Sequence, residues 1–191
     1  MIHRADRFTV VVDTDVLVGA LSRNVVLSLA EEGFFRPRWS ATTLAEFETA
    51  FVRLYGDAET ARRQRRNIED AFPEAVVCDG EALIDGLALP DPNDRHVLAA
   101  AIKTRASVIV TNNLKDFPKE ALAIHQIEPM KVDDFVMDCI DLKGVEAVAA
   151  LRKMRERFNN PHLDAEGLIL RLEKVGMSQT ATLLVEFKAL L

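Results

Sequence analysis

Acidic side chains in this chain fall where apolar stretches end. Residues 8–19 read FTVVVDTDVLVG: the run Val10, Val11, Val12 stops at Asp13, Thr14 and Asp15 follow, and Val16, Leu17 and Val18 resume the apolar character. A carboxylate at the end of a buried strand is costly unless it is solvated, paired or bound to a cation. More acids recur downstream. Glu46 lies in SATTLAEFETAF, Asp91 and Asp94 in DPND, and Asp116 follows Asn112 and Asn113 in VTNNLKDF. Three or four carboxylates gathered in one place need compensating charge. A divalent cation supplies it, and oxygen ligands without His or Cys favour magnesium or manganese over zinc. Such ions orient phosphate and activate water, and a pair of them stabilises both attacking and leaving oxygens in phosphodiester cleavage.

Each stretch also has a plain structural reading. Asp13-Thr14-Asp15 makes an Asx-type turn and helix cap. Glu46 is one solvated helix residue. Asp91 as N-cap, with Pro92 and Asp94 behind it, starts a helix, and Asn112 to Asp116 close a strand. What separates the two readings is whether the fold brings these residues to one edge.

Periodicity supplies that fold. Residues 8–12 read as a strand buried on both faces. Residues 16–32 read as a helix that Gly33 stops, and 35–39 as a second strand. Leu44, Phe47, Phe51 and Leu54 recur at helical spacing, with Ser40 or Thr42 to cap the start and Gly56 the end. A third helix spans 57–72, EAVVC is a third strand, 89–106 is a loop that becomes a helix, SVIVTNN is a fourth strand and ALAIHQI a fifth. Strands alternating with helices predict a three-layer α/β/α domain around a central parallel sheet. It is expected to cover 8–135, with a helical C-terminal appendage over 136–191. Helices are expected at 145–158, 162–175 and 178–190, broken by NNPHLD and VGMSQ. The stripes Val145, Val148, Leu151, Met154 and Leu168, Leu170, Leu172, Val175 read as core or partner surface. In such a sheet, ligands bind beyond the carboxyl ends of the strands, near the point where strand order reverses.

In order along the chain, VVVDTDVLVGAL, SATTLAEFETAF and DPNDRHVLAAAIKTRASVIVTNNLKDFP resemble a PIN domain, over roughly residues 8–135. The third stretch is the most specific, and the whole is similar to PIN domains of VapC-type toxins, including the helical appendage of one subgroup. The resemblance implies a magnesium-dependent (or manganese-dependent) endoribonuclease, the toxin of a type II toxin–antitoxin pair. RNA would be the substrate, an antitoxin protein the partner, and a homodimer the assembly. By motif, Asp13, Glu46, Asp94 and Asp116 match the four acids, as catalytic and metal-binding residues. Asp15, Asp91, Thr111 and Asn113 would orient waters or ligands around them. Two departures stand out: Asp15 replaces a common Asn, which adds a charge, and Asn113 replaces an Asp found in many members, so that if an acid is required there, either metal binding is weaker or Asp116 serves instead. Thr111 reads equally as a hydrogen-bond donor to phosphate or carboxylate and as a turn residue. His96, two positions after Asp94 on a helix, points away from that acid and reads as a surface or packing residue.

The net charge of -6 over 191 residues argues against a general nucleic-acid binder. Charge is uneven, however. Seven arginines between Arg36 and Arg66 face four acids, and five basic residues from Lys143 to Arg157 face two. Arg62, Arg63, Arg65 and Arg66 read as a phosphate-tracking RNA face, a solvated helix face, or a contact for an acidic antitoxin segment. Cys78 and Cys139 have no zinc spacing and fit buried thiols in a reducing cytoplasm. The start MIHRADRFTV lacks an apolar signal core, and no stretch is long enough for a membrane span. Two other functions fit the same residues: a housekeeping PIN ribonuclease in RNA processing, and a non-catalytic protein-binding module whose acids only cap helices.

Overall fold

The computed structural model describes residues 8–78, 80–159 and 161–191. The amino-terminal stretch MIHRADR, Asp79 after the third strand, and Asn160 in the NNPHLD break lie outside the described residues.

The described residues form two compact units. The first holds those up to Val18 together with Phe35–Lys131. Its centre is a five-stranded parallel sheet of β1 (Thr9–Val12), β2 (Arg36–Ser40), β3 (Val76–Val77), β4 (Val108–Val110) and β5 (Glu128–Met130), in the order β3-β2-β1-β4-β5. β1 lies in the middle because its three valines are fully buried. Burying each contributes about 1.5–3 kcal/mol, and β-branched side chains suit a strand covered on both faces. The register sets Val12 beside Val110, so β1 and β4 end together. The chain adds β2 and β3 on one side of β1, then crosses to add β4 and β5 on the other. The order therefore reverses between β1 and β4.

Helices flank this sheet. β1 runs directly into α1 (Thr14–Val18). α3 (Ala41–Tyr55) is capped by Ser40, whose Oγ accepts the Thr43 N–H at 3.0 Å, and ends at Gly56 with φ 71°. That left-handed conformation suits glycine. Leu44, Phe47 and Phe51 face the core, but Leu54, expected in the same stripe, is 58% exposed. α4 (Ala58–Ala71) is capped by Asp57, and the short α5 (Glu81–Ile84) follows β3. A 3-10 turn, Pro92–Asp94, leads into α6 (Arg95–Thr104). α6 packs on β1, β2, β3 and β4 and buries six consecutive residues from His96 to Ala101, as a helix covered on several sides must.

One strand differs from expectation. ALAIHQI is not the fifth strand: it supplies the end of α7 (Lys119–Ala123) and a turn through Gln126 at φ 59°. β5 begins two residues later and contains Pro129, which an edge strand tolerates.

The second unit holds Gly19–Phe34 and Val132–Leu191. The helix expected over 16–32 is two helices, because Gly19 takes an extended conformation before α2 (Ala20–Glu31). With α2 stand α8 (Val132–Leu142), α9 (Gly144–Glu156), α10 (Ala165–Lys174) and α11 (Ser178–Glu186). α2 packs against α8 and α9, and α11 against α8 and α10. Val148, Leu151 and Met154 are buried while Val145 is exposed; Leu168 and Leu172 are buried while Leu170 and Val175 are exposed. A helix of 3.6 residues per turn cannot point Leu170 the same way as Leu168 and Leu172, two positions to either side. Among the described residues, no helix is long and apolar enough to cross a membrane.

Candidate active site

The reversal point between β1 and β4 is where Asp13 sits. Its backbone N–H still donates to Val110 O at 3.0 Å, which fixes it one residue past the strand. Its side chain is 6% exposed. Oδ1 accepts the Thr14 N–H at 2.7 Å and Oδ2 accepts the Thr111 hydroxyl at 2.7 Å. Thr111 is fully buried, and its Oγ1 in turn accepts the Asn113 N–H at 3.0 Å. Of its two open roles, the structure gives it both: it donates to a carboxylate and shapes the turn. Asp15 holds the same turn from the other side, accepting the Asn112 N–H on Oδ2 at 2.9 Å. Its Oδ1 is buried with no hydrogen-bond partner.

Glu46 reaches this edge from α3. Oε2 accepts the Thr14 hydroxyl at 2.6 Å, and Oε1 lies 3.2 Å from His96 Nε2. His96 is therefore not a surface residue. It does turn away from Asp94, as expected, but the same rotation delivers its ring to Glu46 and to Ser40 Oγ, 2.8 Å from Nδ1. The signal in the sequence was its place in HVLAAA: a histidine inside an apolar helix run is buried and needs polar partners.

Asp94 ends the 3-10 turn, half-buried, and Asp91 caps that turn through the Asn93 N–H at 2.9 Å. On the loop after β4, the Asn113 side-chain amide donates to Asp116 Oδ2.

Electrostatics ties these groups together. Burial, then the charges of Asp13, Asp91, Asp116 and Glu46, raise the Asp94 carboxyl to about 6. Burial, then Asp13 and Asp94, raise Asp15 to about 7. Burial also raises Asp13, against the opposing hydrogen bonds from Thr111 and Thr14. Glu46 behaves oppositely: burial pushes its pKa up, but the hydrogen bonds from His96 and Thr14 bring it below its ordinary value. Acids that raise one another in this way form one negative neighbourhood. Among the described residues, however, no three His, Cys, Asp or Glu side chains converge tightly enough to hold an ion between them.

The donor set nevertheless suits a hard divalent cation. It is all oxygen, it carries excess negative charge, and Asp15 Oδ1 is a buried oxygen without a partner. The four arginines lie elsewhere, on α4. Arg62, Arg63 and Arg66 are exposed, while Arg65 pairs with Glu69 at 3.1 Å and Glu48 at 3.4 Å.

Comparison with known proteins adds three findings. A family model described as PIN domain matches residues 9–115. A second, described as VapC50 C-terminal domain, matches residues 132–186. A Mycobacterium tuberculosis protein named "Putative ribonuclease VapC50" is 43% identical over 76 residues, covering 40% of this chain. The chain spans 45% of the length of that relative. No solved structure matches at a significant level.

Proposed function

The chain belongs to the PIN-domain family, and from that premise we propose that it is a magnesium- or manganese-dependent endoribonuclease, the toxin of a VapBC-like toxin–antitoxin pair. The observation that carries this reading is the mutual charge of Asp13, Asp15, Glu46, Asp94 and Asp116 beside the reversal point of the sheet. The toxin assignment draws on the VapC50 match of the C-terminal helices. RNA is the substrate, an antitoxin the protein partner, and the cytoplasm the place of action.

Asp13 and Asp94 would hold the cation, with Glu46 and Asp116 beside them. The cation supplies charge neutralisation and polarisation of a scissile phosphate. Thr111 and Thr14 fix the Asp13 carboxylate; Asn113 orients Asp116; Asp15 offers its open Oδ1 to a water or to the cation. Exposed Arg62, Arg63 and Arg66 would track the RNA backbone. Hydrolysis adds a water oxygen to phosphorus and breaks the bond to the leaving oxygen.

Purified protein incubated with total RNA, with and without EDTA and beside Asp94→Ala, tests this. Cleavage lost in EDTA and in the variant supports it; equal cleavage in all three refutes it. The lack of a converged three-ligand group among the described residues favours a second reading, the non-catalytic binding module. Manganese titration separates them, because a module binds no more than a surface variant does.

A further inference from the structure

We propose that His96 is a positioning residue for Glu46: anchored by Ser40, its imidazole fixes where the Glu46 carboxylate stands at the acid site. This rests on the cation-binding reading above. His96 comes from α6, while Ser40 caps α3 and Glu46 lies in the second turn of α3. The ring is 7% exposed and reaches both, with Nδ1 2.8 Å from Ser40 Oγ and Nε2 3.2 Å from Glu46 Oε1.

One proton arrangement satisfies every group. Ser40 Oγ accepts the Thr43 N–H at 3.0 Å and lies 3.1 Å from Thr43 Oγ1. With Thr43 Oγ1 donating to it, Ser40 keeps its own proton for Nδ1. Nε2 then carries the ring proton and donates it to the carboxylate, which has none to give. The other carboxylate oxygen takes the Thr14 hydroxyl. Glu46 is thus gripped from α1 and from α6.

A free glutamate on a helix samples many rotamers, and ordering one costs conformational entropy. Here that order is established before any ligand arrives. A cleft of about 20 Å³ opens beside the ring, bordered by Val77, Ile84, Ala99 and Ala100. The hydrogen bonds to Ser40 and Glu46 set its orientation.

Two substitutions divide these bonds. The amide of His96→Gln falls near Nε2 and keeps the donor to Glu46; that of His96→Asn falls near Nδ1 and keeps only Ser40. Manganese binding by calorimetry is the readout, with circular dichroism to confirm folding. His96→Asn should bind about 10- to 100-fold more weakly, and His96→Gln should stay within about threefold of wild type. His96→Asn added to Glu46→Gln should lose nothing more. Wild-type affinity in His96→Asn, with loss in Glu46→Gln, overturns the positioning role and leaves the cation reading standing. Wild-type affinity in both Glu46→Gln and Asp94→Ala overturns the cation reading itself, and this proposal with it. Should His96→Asn fail to fold, the ¹⁵N spectrum of the wild-type ring decides. A protonated Nε2 with an unprotonated Nδ1 is expected; an unprotonated Nε2 overturns the proposal.

Discussion

Thr111 Oγ1 donates to Asp13 Oδ2 at 2.7 Å across 98 positions of the chain, joining the ends of two neighbouring parallel strands. The bond lies where the sheet reverses its order and is wholly buried on the threonine side. Thr111→Val keeps the shape but strips a donor from Asp13 and an acceptor from the Asn113 N–H. The expected cost is about 1–3 kcal/mol in urea denaturation, with Thr111→Ser restoring most of it. Unchanged stability in Thr111→Val would remove this clasp from the account.

The raised acids make stability depend on pH with a definite sign. Asp15 near 7 and Asp94 near 6 both stand above the value of about 4 expected unfolded. The folded state therefore holds more protons than the unfolded state over this range. In EDTA, these two groups should leave stability undiminished below pH about 4 and lower it as pH rises through 6 and 7. Asp15→Asn should stabilise the metal-free protein by about 1–3 kcal/mol near pH 7.5, allowing for solvent screening, and by nothing near pH 3.5. Manganese should raise Tm more at pH 7.5 than at pH 5, since protons compete for the same oxygens. Thermal melts across pH, with and without the ion, read both effects; a Tm gain from manganese that shrinks with pH contradicts the site.

In the second unit, Asp133 on α8 caps α11. Its Oδ2 accepts the Gln179 N–H at 2.8 Å, and its Oδ1 accepts the Thr180 N–H at 2.9 Å and the Thr180 hydroxyl at 2.7 Å. Asp133→Ala leaves two helix-end N–H groups unpaired and should cost about 2 kcal/mol in chemical denaturation. A loss below a few tenths would show that water replaces the carboxylate freely.

The arginines of α4 separate into two kinds. Arg62, Arg63 and Arg66 are exposed, whereas Arg65 bridges Glu48 and Glu69. Removing the first three charges should weaken RNA binding and flatten its log–log salt dependence by about 2 to 3. Arg65→Ala should leave the salt slope nearly unchanged. Equal slopes in the triple variant and wild type would make this a solvated face.

The sequence announces some of this clearly and hides the rest for physical reasons. The valine run ending at Asp13, the Ser40 cap and the Gly56 stop each act locally, so their types and spacing suffice. ALAIHQI is apolar enough for either element, while Pro129 disfavours the strand that forms, so periodicity points to the wrong segment for β5. For His96 the neighbour in sequence is Asp94, yet its partners lie 50 and 56 positions earlier. Only packing of α6 against α3 reveals them. Asp13 and Asp94 are expected on one edge from the topology alone; the charge of Asp13 helps raise the Asp94 carboxyl.

The early helix α2 belongs with the late helices, tied by Glu31 to Arg157 at 2.6 Å and Glu32 to Lys153 at 2.6 Å, and it buries Val25, Val26 and Leu29. The carboxyl-terminal helices are thus no detachable cassette. Ending the chain after Lys131 strips the cover from an amphipathic segment threaded in near the start, so such a truncation trades a trimmed protein for a sticky one. Anyone grafting this tail onto another domain must transplant residues 19–34 along with it.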